Sequence, residues 1–149
     1  MKLLLIALTT IASFFVTNVK ASDDNTNVST VVLKSFERSF KQASNINWTI
    51  SENLYKADFS LNNQQIAAYF DAEGELIAVT RNILSQQLPI MLQANLKTDY
   101  KEFWISELFE VANEGGTTYY VTLEDSNNKI VLKSASNSDW TNYKKIRKS

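Results

Sequence analysis

The sequence predicts an α+β fold of two tandem units, each a helix followed by a four-stranded antiparallel sheet, with both helices packed on one face. Three observations predict it. Apolar residues recur at spacings of three and four in two segments, each followed by short runs that favour strands. Turns of two to four residues containing Asn or Gly separate those runs, which marks sequential antiparallel pairing. The order of helix and four strands then occurs twice along the chain.

The first helix carries Val32, Leu33, Phe36, Phe40 and Ala43 on one stripe, with Lys34, Glu37, Arg38 and Lys41 off it. Ser29 or Thr30 is placed to cap it. Strands follow at Ile46 to Ile50, Leu54 to Leu61, Gln65 to Asp71 and Glu75 to Ile83. A second helix is expected from about Ser85, with Leu88, Met91, Leu92 and Leu96 on one face and Pro89 near enough to the start for its missing N–H to cost little. Strands return at Phe103 to Ala112, Thr117 to Asp125, Lys129 to Ala135 and Trp140 to Arg147.

The repetition extends to single residues. A shift of 53 positions lays Ile66, Ala68, Phe70, Asp71, Ile77 and Val79 on Tyr119, Val121, Leu123, Glu124, Ile130 and Leu132, and a shift of 56 pairs Trp48 with Trp104. A duplicated unit accounts for this pattern. Residues 31–84 and 85–147 are the expected repeats of a single domain spanning 31–149.

Ahead of that domain, Met1-Lys2 leads into an apolar run from Leu3 to Val16 and then a polar shift through Asn18 to Ala21. This is the layout of a secretory signal peptide over residues 1–21, cut before Ser22. A membrane anchor is the alternative, but the run is roughly 14 residues where a span needs about 20. Residues 22–30 read as a flexible lead-in. Losing residues 1–21 removes Lys2 and Lys20, so the formal charge moves from −1 to −3.

A weakly acidic exported domain has no electrostatic case for nucleic acid, and no integral membrane segment is expected after cleavage. The expected location is periplasmic or secreted. Without Cys, a lipidated anchor and disulfide staples are both excluded, so stability must come from packing alone. The sequons at Asn27 and Asn47 read as chance occurrences.

The chain has neither Cys nor His, which removes thiol nucleophiles, imidazole acid–base catalysis and the usual zinc ligands. Carboxylate pairs are the acid–base machinery that remains, and Asp58 and Glu124 show no surroundings that would raise a pKa. Asp71-Ala72-Glu73-Gly74-Glu75 suggests a calcium loop, but Asn82 stands where an EF-hand needs its closing Glu. A hairpin turn with left-handed Gly74 is the better reading. The expectation is a protein that is not an enzyme, with no cofactor and no metal site.

Alternation assigns the faces. Tyr55, Ala57, Phe59, Ile66, Ala68, Phe70, Ile77 and Val79, with Tyr119, Val121, Leu123, Ile130 and Leu132, form the apolar face under the helices. Lys56, Asp58, Tyr69, Tyr120, Thr122 and Lys133 lie opposite, on a polar face with isolated aromatics that meets solvent or a partner. Trp48 and Trp104 read as core packing, and Trp140 as either edge packing or an exposed anchor. Tyr69, Tyr120 and Trp140, with Lys56 and Lys133, are the candidate partner-binding residues, because aromatics give large contact area at low entropic cost. The basic tail Lys144-Lys145-x-Arg147-Lys148 reads as charge guarding a terminal edge strand, or as contact with an anionic membrane or acidic partner.

Several of these residues also carry a resemblance. Phe36-x-x-x-Phe40-x-x-Ala43-x-x-Ile46-x-Trp48, Tyr55-x-Ala57-x-Phe59, Ala68-Tyr69-Phe70-Asp71-x-x-Gly74-x-Leu76-Ile77, and Leu88-Pro89 opening a helix toward Tyr100 form the set. Over about residues 31–147 the chain resembles the exported PepSY-like proteins related in fold to beta-lactamase inhibitory protein. The resemblance implies helices on one side, a continuous sheet surface on the other, protein or peptide binding with an inhibitory or regulatory role, and no catalytic residues. Two features depart from the pattern: Glu114-Gly115-Gly116 replaces a short hairpin, and Asn127 stands where the first unit has Gly74. A carrier or sensor holding a small apolar ligand between helices and sheet is the alternative function.

Overall fold

The computed structural model describes residues 27–148. The expected signal peptide and residues 22–26 of the lead-in lie outside the described residues. Helix α1 spans Thr30–Ser39 and strands β1 to β4 span Ser44–Ser51, Leu54–Leu61, Gln64–Phe70 and Leu76–Asn82. A 3-10 turn at Ser85–Gln87 and helix α2 at Ile90–Asp99 follow. Strands β5 to β8 span Trp104–Asn113, Gly116–Glu124, Asn128–Ser134 and Thr141–Arg147. All eight strands form one antiparallel sheet in sequence order, β1 to β8. The α+β class is as expected, and among the described residues no helix is long and apolar enough to cross a membrane.

Local chemistry sets the element boundaries. The Ser29 side chain accepts a hydrogen bond from the Val32 amide at 3.3 Å, capping α1. Asn62 and Asn63, with φ of 49° and 62°, make the tight turn between β2 and β3, the conformation asparagine tolerates best after glycine. Helix α2 begins later than expected. Leu88 precedes Pro89, and the proline ring disfavours helical backbone at that residue, which sits at φ −66° and ψ 153°. The expected helix from Ser85 is therefore split into a 3-10 turn and an α-helix.

Cross-strand register shows that both helices cover the same face. Ala68 pairs with Val79, Val79 pairs with Ala112, and Ala112, Glu110 and Leu108 alternate along β5 toward the core beneath α2. Under α1, Val32 and Phe36 pack on Ala57, Phe59, Ala68 and Phe70. Beneath α2, Leu88, Leu92 and Leu96 pack on Leu108, Val121, Leu123, Ile130 and Leu132. Each large side chain taken from water here contributes about 2 kcal/mol.

One face assignment is corrected. A bulge between Tyr69 and Phe70 pairs Phe70 with Leu76 and Tyr69 with Ala78, leaving Ile77 as the extra residue. Leu76 therefore joins the core under α1, while Ile77 packs on the opposite side of the sheet.

Candidate functional site

The sheet face away from the helices holds four of the five candidate residues. Lys56 pairs with Tyr69 across β2 and β3, and Tyr69 pairs with Ala78. Thr80 pairs with Val111, and Val111 alternates with Phe109, which pairs with Tyr120 and through it with Lys133. Trp140 lies on the other side, against the core beneath α2, where its Nε1 donates to the Leu92 carbonyl oxygen at 3.1 Å. In this position Trp140 packs on α2 just ahead of the last strand.

The helix-free face has an apolar centre of its own, which corrects the expectation of isolated, solvent-facing aromatics. Ala67, Tyr69, Ala78, Phe109, Val111 and Tyr120 form a buried cluster, with Leu54, Ile77 and Val131 at its margin. Tyr69 is 0% exposed and Tyr120 6%. The Phe109 and Tyr120 rings stack at 5.1 Å, and Tyr143 meets Tyr120 edge-on at 5.6 Å, so an aromatic row runs outward to the half-exposed Tyr143. Tyr143, a lone aromatic in the polar strand β8, carries no local sequence signal for this contact. A bulge between Val131 and Leu132 in the β7–β8 register lets its ring reach Tyr120.

Charge frames this centre. The Lys56 ammonium lies 2.9 Å from Asp58, and Lys133 sits 5.9 Å over the Tyr120 ring. Burial, reinforced by the nearby Asp58 charge, pushes the Tyr69 hydroxyl up to about 12, with the Thr80 hydroxyl opposing weakly. Among the described residues that hydroxyl has no hydrogen-bond partner of good geometry. Burial likewise raises Tyr120, with Tyr143 adding to the shift.

Trp104 departs from the expectation of core packing. It is 54% exposed at the start of β5, and the Lys148 ammonium lies 4.8 Å over its ring. The same ammonium contacts Glu124 at 2.7 Å, and Lys129 contacts Glu124 at 3.5 Å. The hydrogen bond from Lys148, helped by Ser106, holds the Glu124 carboxyl down at about 2. That is the opposite direction from the raised pKa a general acid needs near neutral pH. Trp48 does pack as expected, 5.3 Å edge-on to Phe36.

The loop at Asp71 is a hairpin turn with Gly74 at φ +81°. The Asp71 Oδ1 accepts from the Glu75 amide at 2.8 Å, so this carboxylate serves the turn. Asp125 plays the same part in the β6–β7 turn, accepting from the Asn127 and Asn128 amides at 2.7 and 2.6 Å. No group of three or more His, Cys, Asp or Glu side chains is gathered for a metal among the described residues. Among the described residues, apolar grooves flank both helices. One of about 390 Å³ is lined by Leu33, Phe36, Phe40, Ala43, Ile46 and Trp48. Another, about 440 Å³, lies beside Leu96, Tyr100, Phe103, Ile105 and Leu123.

No protein-family model and no curated protein matches the chain. Solved structures do. A BLIP-like protein from Bacteroides fragilis NCTC 9343 superposes with a TM-score of 0.70 at 18% identity, over 81% of this chain and 88% of the other. A candidate periplasmic protein from Bacteroides eggerthii DSM 20697 gives 0.70 at 12%, over 80% and 88%. A DUF2874 family protein from Bacteroides uniformis ATCC 8492 gives 0.69 at 14%, again over 80% and 88%. At these identities the likeness is one of fold, and it supports the BLIP-like fold expected from the motifs.

Proposed function

We propose that the chain is an exported, non-catalytic binding module of the PepSY-like kind, built of two repeated units. It grips a protein or peptide in the periplasm or outside the cell, with an inhibitory or regulatory role. The observation that carries this reading is the gathering of Lys56, Tyr69, Tyr120 and Lys133 on one continuous helix-free face. A BLIP-like protein and a candidate periplasmic protein of the same fold support both the mode and the place. On this reading the buried tyrosines stiffen the floor, while Lys56, Lys133 and Tyr143 make the contacts. The lowered pKa of Glu124 also counts against acid–base work by that carboxylate.

A carrier of a small apolar ligand has less support. Phe36, Phe59 and Phe70 fill the space under α1 in edge contacts of 5.0 and 6.3 Å, so such a ligand would be left to the marginal grooves.

A photo-crosslinking residue placed at Lys56 or Lys133 should capture one discrete envelope partner, and the same residue at Lys97 on α2 should not. Lys56→Glu with Lys133→Glu should abolish capture from a probe at Tyr143. Equal capture from Lys97, or capture that survives both reversals, would put the binding surface elsewhere.

A further inference from the structure

The open sheet has two edges that differ in chemistry. Strand β1 reads Ser-Asn-Ile-Asn-Trp-Thr-Ile-Ser, without a charge, and is irregular between Ser44 and Asn47, with Asn45 at φ 53°. That irregularity blunts its pairing edge. Strand β8 reads Thr-Asn-Tyr-Lys-Lys-Ile-Arg and is exposed along its whole length. No acidic side chain pairs with Lys144, Lys145 or Arg147 among the described residues, although the chain as a whole is slightly acidic.

This edge is also held rigid at both ends. After its last residue, the Lys148 amide donates to the Asn127 carbonyl oxygen at 2.8 Å, and its ammonium reaches Glu124 and the Asp125 carbonyl oxygen at 2.7 and 2.8 Å. At its start, Trp140 is bonded to Leu92, and the Thr141 hydroxyl donates to the Lys133 carbonyl oxygen at 3.0 Å. A strand fixed in this way presents its outward N–H and C=O groups with little ordering left to do.

Register gives the edge a two-sided code. Lys145 pairs with Ile130 and Arg147 with Asn128, which places both cations on the helix side. On the other side, Lys144 pairs with Val131 and Ile146 with Lys129, and Tyr143 and Ile146 are half-exposed there. From these observations we infer that β8 is a docking edge for an extended acidic segment of another protein, which adds as a ninth strand. Its alternate residues are acidic over Lys145 and Arg147 and apolar over Tyr143 and Ile146. Main-chain hydrogen bonds supply affinity, and the two side-chain rows supply choice of partner. The inference concerns the edge and shares only Tyr143 with the reading of the helix-free face.

The probe is a fluorescein-labelled eight-residue peptide alternating glutamate and valine, titrated against the folded protein by anisotropy and by amide chemical shifts. Saturable binding is expected, with shifts concentrated in residues 141–147. K144Q/K145Q/R147Q should weaken it about tenfold, since each exposed ion pair adds only a modest increment. N-methylation of alternate peptide amides should abolish binding. In K145E/R147E, preference should swap to the lysine–valine peptide, a gain of binding that misfolding cannot mimic. Absence of saturable binding, shifts centred on β1, or affinity that survives N-methylation would each overturn the proposal. Of the three, the last would reduce β8 to a charged guard against self-association.

Discussion

The two halves of the helix-covered face solve the same packing problem with different materials. Under α1 the core is aromatic, with the Phe36 ring in contact with Phe40, Trp48, Phe59 and Phe70 at 5.0 to 6.3 Å. Under α2 it is mainly aliphatic, built on Leu88, Leu92 and Leu96, and polar ties reach across to the last hairpin. Trp140 donates to Leu92, and the Asn95 amide donates to the Ser138 carbonyl oxygen at 2.7 Å. The α1 half is thus held mainly by ring packing. The α2 half depends more on the seating of β8, the strand whose outer edge is free.

The largest expected effect tests the aromatic half. Phe36→Ala removes the ring around which the others are arranged and should cost about 3–5 kcal/mol, read by denaturant unfolding. Leu92→Ala, fully buried among mainly aliphatic neighbours but removing a smaller side chain, should fall toward the lower end of ~2–5 kcal/mol. If Leu92→Ala proved the more damaging, the α2 half would be the better-packed one and the contrast would reverse.

A smaller effect sharpens the contrast at the turns. A Cβ on Gly74 would stand 2.8 Å from Val31 Cγ1 and 3.1 Å from the Val31 carbonyl oxygen, at a φ of +81° that disfavours any side chain. Gly74→Ala should therefore cost about 1–3 kcal/mol by combining strain with overpacking against α1. Asn127, in the other half, is not among the residues with positive φ. Asn127→Gly should bring no stabilisation there, and a thermal melt of both variants checks the pair.

The element plan was legible because helix and strand periods are local signals. The β2 boundaries, Leu54 and Leu61, fall where the sequence places them. The candidate surface was half legible. Alternation put Lys56, Tyr69, Tyr120 and Lys133 on one face, but it could not show that Ala67, Ala78, Phe109 and Val111 gather around the tyrosines. Ala67 comes from β3, Ala78 from β4, and Phe109 and Val111 from β5, so they become a cluster only across strands. Bulges are equally silent in the sequence, and one of them sends Ile77 to the opposite face. Trp104 and Trp140 are not legible from local sequence, because their neighbours, Lys148 and Leu92, are more than forty residues away.

The smallest effect is in pH, and it separates the halves again. Glu124 is held at about 2 when folded, below its ordinary value of 4.5, by Lys148 first and by Ser106 and Lys129 after it. A carboxyl whose folded pKa is depressed stabilises the fold above its unfolded value, and that contribution fades as pH falls from about 4.5 toward 2. Acid should therefore loosen the β6–β7 turn and the end of β8 before it touches α1. Amide hydrogen exchange at residues 124–129 and 145–148 should accelerate over that range while the amides of Ala57, Phe59 and Ala68 stay protected. Glu124→Gln should bring the faster exchange up to neutral pH and remove its acid dependence. Uniform loosening across both halves would mean that Lys148 does not fasten the last strand. The free edge would then lose the rigidity that makes it a template for another strand.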